Sequence, residues 1–326
     1  MRFVALALLL LVPLQALRAE ESPAGRAGEL AELIAPFVDH QTLAVIHADL
    51  ASFDAVDTTD ALAEFFQLGD DTRDFLQSEI APITVVAQSL PPDAKFDIFF
   101  VVSFSDLAKV PLFIVMPLDG GAPAAPVALE IRHGLSGRFR TEIVSEEVHG
   151  ALVTGTPQTI HRLRKLPPAP RPEIAAAFEA VSDSELQVLI VPSANARKAL
   201  ELVYPTLPAS LGGGPTRDLM QKFEWLAVGL TLPPNDSGLR AVVQSTSEDA
   251  AKQLGESIAT LVGALNQDNS LEASHAATLT ERIVPEIEGT RITIDVTAAV
   301  DEVADYGTLL APLFTLAGPA AKPVAE

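Results

Sequence analysis

The sequence predicts an α+β fold with mostly antiparallel sheets, built from two divergent copies of a β-α-β-β-α-β-β unit related to the ferredoxin-like pattern. Three observations carry this. From Phe223 to Asn266 the chain reads strand, turn, strand, helix: Leu226, Val228, Leu230 and Leu232 alternate with small or polar neighbours, Pro233 to Gly238 make the turn, and Leu254, Ile258, Leu261 and Leu265 then recur at helical spacing. A divergent version of that order occurs upstream: Thr72-Arg73-Asp74 is echoed by Thr216-Arg217-Asp218 at an offset of 144, and Gly150 to Thr154 by Gly289 to Thr293. Between the copies, Leu166 to Pro172 holds four prolines in seven residues, a semi-rigid linker. The units are expected at 42–165 and 185–311.

Residues 1–19 have the plan of an export signal, a positive start at Arg2, an apolar run from Phe3 to Leu14, and Leu17 and Ala19 at the cleavage positions, with cleavage after Ala19. The apolar run is about twelve residues against the roughly twenty a bilayer span needs, so no membrane insertion is expected after cleavage. The leader carries two arginines and no acid. The mature chain would therefore have 20 basic against 43 acidic side chains, a net of −23, which disfavours nucleic acid and anionic membrane as partners. The chain has no cysteine, which removes disulfides, thiol catalysis and a lipidated cysteine.

In chain order, 20–41 is a polar leader in which Glu29 to Phe37 is expected as a short helix. Leu43 to His47 is a strand followed by Asp49 as a helix cap. Asp60 to Leu68 and Thr72 to Leu90 carry helical patterns, the second with a stripe of Leu76, Ile80, Ile83, Ala87 and Leu90 bent at Pro82. Phe96 to Phe104 and Lys109 to Leu118 follow as a hairpin. A helix from Ala122 to Leu135 and a hairpin of Thr141–Val148 with Ala151–Thr156 complete the first unit, and a short basic helix runs from Pro157 to Leu166. Residues 166–184 form the linker and a helix from Glu173. Leu186 to Val191 and a helix from Asn195 to Tyr204 open the second unit. Residues 312–326 are a tail rich in Ala and Pro, expected to be disordered.

The copies differ in one respect. In the second, Arg291, Thr293 and Asp295 alternate with Ile292, Ile294 and Val296, whereas Ile98 to Val102 and Leu112 to Met116 in the first are apolar on both faces. The first sheet is therefore expected to be covered on both sides, by its own helices and by the Thr72–Leu90 segment, the second copy, or another subunit in a homo-oligomer.

No motif places a reaction. Six histidines lack metal-ligand spacing, so neither a metal nor another cofactor is expected. Gly134-Leu135-Ser136-Gly137 is one residue short of a nucleophile elbow and reads as a helix end. Leu211 to Thr216 lacks the Lys-Ser/Thr of a phosphate loop, and Thr216 reads as a helix cap. Asn266 to Glu272 lacks the glycine and glutamate of a calcium loop. His161, Arg162, Arg164 and Lys165 form a local basic cluster in an acidic chain, the one candidate binding patch. The expected function is that of an exported, non-catalytic protein that binds a protein or an envelope polymer. The alternative is an exported hydrolase with a carboxylate or serine site assembled by the fold.

Overall fold

The structure, a computed structural model, describes residues 23–49, 96–106, 110, 112–118, 124–167, 171–207, 213–231, 237–265 and 283–298. The export signal, the Asp60–Leu68 and Thr72–Leu90 segments, the centre of the proline linker, the Asn266–Glu272 loop and the tail lie outside the described residues.

One antiparallel sheet organises the molecule. Its strands are β1 (Thr42–Asp49), β2 (Asp97–Ser103), β3 (Leu112–Pro117), β4 (Val144–Val148), β5 (Ala151–Gly155), β6 (Leu186–Ile190), β7 (Phe223–Thr231), β8 (Ser237–Ser245), β9 (Glu286–Glu288) and β10 (Arg291–Ala298). They lie in the order β4-β5-β3-β2-β1-β6-β7-β8-β10-β9. Read outward from the β1–β6 seam, each side is a meander of three strands, then the last two strands in swapped order. An α+β architecture with a large antiparallel sheet is thus present. The ferredoxin-like order is not: a split β-α-β sets a third strand between the two that flank its helix, whereas here β1 pairs directly with β2 and β2 with β3.

The helices are α1 (Pro23–Ile34), followed by a 3₁₀ turn at Ala35–Phe37, α2 (Ala124–Phe139), α3 (Pro157–Leu163), α4 (Pro172–Ala180), α5 (Ala194–Val203), α6 (Thr216–Lys222) and α7 (Glu248–Leu265). Hydroxyl caps start three of them: Thr156, Ser193 and Ser247 accept from the backbone N–H of Thr159, Ala196 and Ala250. Thr216, by contrast, is the first residue of α6 and not its cap. Its N–H donates to the Pro205 carbonyl, and its buried hydroxyl has no partner among the described residues. Asp49 closes β1, and the helix expected after it lies outside the described residues. Pairing with β2 continues to the end of β1, and the Asp49 carboxylate accepts the Phe96 N–H.

Helix α2 runs through Gly134 and Gly137 instead of ending there. Each glycine costs about 1 kcal/mol in a helix, but stopping at Gly134 would withdraw buried Leu135 and the packed ring of Phe139 from the core. The helix ends at Arg140, which takes a positive φ of 50°.

The two sheet faces build separate cores. On one, Ile46, Ile98, Phe100, Leu112, Ile114 and Met116 pack under Val127, Ala128 and Leu135 of α2. On the other, Val45, Phe99, Val101, Phe113 and Val115 meet Leu30 and Ile34 of α1, Ile160 and Leu163 of α3, and Ile174 and Phe178 of α4. All seven residues of β2 are buried. The doubly apolar strands are therefore covered by α1 to α4 of the same chain. Each fully buried Phe or Leu contributes about 1.5–3 kcal/mol. In the second half, Ala251 and Leu254 of α7 cover Ile292 from one side. Arg291 and Asp295 are exposed on the other, where Arg240 spans to Asp295 at 2.9 Å.

Close approach fixes one strand position absolutely. A Cβ at Gly229 in β7 would stand 2.1 Å from Ser184 Oγ and 2.9 Å from Val181 Cβ, so the loop after α4 packs on bare backbone. Gly229→Ala is expected to lower unfolding free energy by about 1–3 kcal/mol, measured by chemical denaturation. An unchanged midpoint would contradict this packing.

Candidate functional site

Three polar constellations stand out, and register, not sequence spacing, assembles each. The first crosses the centre of the sheet. His47 of β1 lies opposite Gln187 of β6, and its Nδ1 is 3.1 Å from Gln187 Oε1. Gln187 Nε2 donates to the Val181 carbonyl at 2.9 Å, which turns its Oε1 toward the imidazole. His47 Nε2 lies 2.8 Å from Asp97 Oδ1, and Asp97 also accepts from the Arg26 guanidinium of α1. Phe99 and Phe178 wall the ring, with centroids at 4.9 and 6.1 Å.

Burial pushes the Asp97 carboxyl up, but the His47 hydrogen bond and charge, with the Arg26 guanidinium, hold it below the usual carboxylate range. For Arg26, burial opposes the charged form, but the Asp97 carboxylate, with the Glu29 hydrogen bond and the Asp49 charge, more than offsets it, so its pKa is raised. A His–Asp pair of this kind is half of an acid–base apparatus. Here no hydroxyl nucleophile is bonded to it among the described residues, and His47 and Asp97 are only 4% and 6% exposed.

The second constellation absorbs the predicted basic cluster. Arg162 of α3 turns inward, donating from Nη1 to Asp39 Oδ2 at 2.9 Å and from Nη2 to Asp106 Oδ2 at 2.8 Å, with its guanidinium over the Phe113 ring. The Thr159 hydroxyl donates to Asp106 Oδ1, and the Gln41 N–H to Asp39 Oδ1. Arg164 instead pairs with Glu146 at the surface, while His161 and Lys165 are exposed. The fold therefore splits the four residues between a structural bridge and an open surface. The Gly134–Gly137 segment forms no nucleophile elbow, since Ser136 lies inside α2 and its carbonyl accepts the Arg140 N–H. Among the described residues no three His, Asp or Glu side chains gather as a metal site.

The third is an open cleft of about 500 Å³ at the end of the seam, where β1 and β7 begin, β6 ends, and α4 and α5 start. Most of its polar atoms are committed. Arg171 donates to the carbonyls of Asp39 and Val191 and to Glu173, and Ser193 donates to the His40 carbonyl. Arg197 gives Nη1 to the carbonyls of Phe223 and Glu224. The side chains of His40 and Glu224, and the remaining nitrogens of Arg197, take no partner among the described residues. Trp225, the sole tryptophan, forms part of the wall. Sequence reasoning missed this cleft because its residues come from five segments between Asp39 and Trp225.

No protein-family model matches the chain, and no curated protein matches it. Solved structures with some likeness include TP0453 in two crystal forms. Form I superposes with a TM-score of 0.36 at 13% identity, covering 90% of this chain and 100% of that one. Form IV gives a TM-score of 0.35 at 11% identity, covering 84% and 96%.

Two outcomes test the buried constellations. Asp97→Asn leaves the buried Arg26 guanidinium without its carboxylate and takes from His47 Nε2 its anionic partner, and is expected to cost about 3–5 kcal/mol near neutral pH. Because the folded carboxyl titrates below its unfolded value of about 3.9, its stabilisation is complete above that value and lost as pH falls through the folded pKa. The gap between wild type and Asp97→Asn should therefore hold above about pH 4 and narrow below it; a gap independent of pH would contradict the arrangement. Arg162→Gln should lower stability by about 2–3 kcal/mol, whereas Arg164→Gln and Lys165→Gln should each stay within about 0.5 kcal/mol, as read from denaturant midpoints.

Proposed function

We propose that the chain is an exported, non-catalytic binding protein made of two divergent copies of one strand-rich unit, and that it takes its ligand in the cleft at the end of the β1–β6 seam. The duplication is supported by a strand order that is the same on both sides of that seam, together with the sequence echoes at Thr72/Thr216 and Gly150/Gly289. Export is supported by the plan of residues 1–19. The ligand would come from an extracytoplasmic protein or an envelope polymer.

The observation that carries the binding reading is a separation of roles. The one His–Asp pair bonded side chain to side chain among the described residues is sealed in the core, while the open cleft holds unpaired charged groups without a nucleophile bonded to a base. Such a cleft holds a molecule in place; it does not activate an attacking atom.

Trp225 makes the reading testable, since all indole emission reports from the cleft wall. The purified chain is expected to show no turnover of chromogenic ester, phosphoester, glycoside or peptide substrates above buffer. Its emission should shift on adding a low-molecular-weight envelope extract. Turnover abolished by substituting one cleft residue would replace the binding reading with the hydrolase.

A further inference from the structure

We infer that the cleft is selective for a zwitterion, an amino acid or short peptide carrying a free ammonium and a free carboxylate; this rests on the binding reading above. The lining holds two arginines and three acids, and three of these five charges are already neutralised. Asp39 is bridged by Arg162, and Arg171 is paired with Glu173. What remains is one cation, Arg197, and one anion, Glu224, neighbours in space but not paired with each other. Arg197 Nη1 is 3.4 Å from the Glu224 main-chain carbonyl, while its Nε and Nη2 have no partner among the described residues.

Bonds to the Phe223 and Glu224 carbonyls hold Arg197 by one nitrogen only. Its remaining edge keeps donors for a carboxylate, which guanidinium recognises in the plane. Glu224 supplies an acceptor for an ammonium. A ligand with one charge of either sign would leave the other group unsatisfied, whereas a zwitterion in the opposite sense satisfies both. The lining also holds the apolar Leu166, Pro167, Pro192, Ala194 and Trp225. A volume of about 500 Å³ accepts a dipeptide with an aliphatic side chain.

The test uses the full mature chain with the dipeptide Ala-Leu, its N-acetyl form and its C-terminal amide, read by Trp225 emission and calorimetry. The free dipeptide is expected to bind, and blocking either end should weaken it about tenfold to a hundredfold. Glu224→Gln should no longer distinguish free from acetylated peptide. Arg197→Gln and the milder Arg197→Lys should weaken the free acid more than the amide, with thermal melts confirming that each variant is folded. Equal binding of free and blocked peptides overturns zwitterion selectivity and leaves the binding reading standing. So does silence toward all three peptides while the envelope extract still shifts the emission. Silence toward peptides and extract alike overturns both.

Discussion

The register of β1 against β6 is the constraint on which the rest of the structure depends. Among the described residues it is the one strand pairing through which two five-strand halves become a ten-strand sheet. Because strand side chains alternate faces, a slip of one residue would turn His47 into the α2-facing core and swing Ile46 toward Phe178. The His47–Gln187 pair opposes such a slip, since a buried polar pair is satisfied in one alignment only. Apolar neighbours such as Val45 and Leu189 would tolerate several. Gln187 extends the constraint to α4 through the Val181 carbonyl, and Asp97 extends it to α1 through Arg26.

The buried charges make most sense in this light. Ionic groups taken from water contribute little net stability even when well paired, so their presence beneath three helices argues for specificity of arrangement. Asp39 and Asp106 illustrate this. One lies just before β1 and the other just after β2, and Arg162 fastens both to α3. The helices on that face are thereby fixed to particular strand ends, where apolar packing alone would leave them freer to slide.

How far the sequence disclosed this depended on how local each signal was. Alternation in β7 and β10 and the stripe of α7 follow from neighbours in the chain, and those elements stand where the pattern puts them. The doubly apolar β2 and β3 announced that both faces are covered. They did not say by what, because α1 and α4 come from segments that read as a polar leader and a linker. Gly134 and Gly137 imitate a helix end because local propensity favours stopping, while the burial that overrides it belongs to a distant core. His47 appeared solitary because its partners are 50 and 140 residues away. The cleft was invisible for the same reason, its charged groups adjoining only after β1, β6 and β7 align.

The strand order also decides where the sheet stops. With the two halves joined through their first strands, the outer borders among the described residues fall to their penultimate ones, β4 and β9. An open border invites another chain to continue the ladder. Both borders here carry acid: Glu147, beside the Arg164-paired Glu146, on one, and Glu286 and Glu288 on the other, in a protein already rich in negative charge. Two molecules meeting border to border would set carboxylate against carboxylate. The palindromic arrangement thus places the chain's like-charge repulsion where runaway polymerisation would otherwise begin.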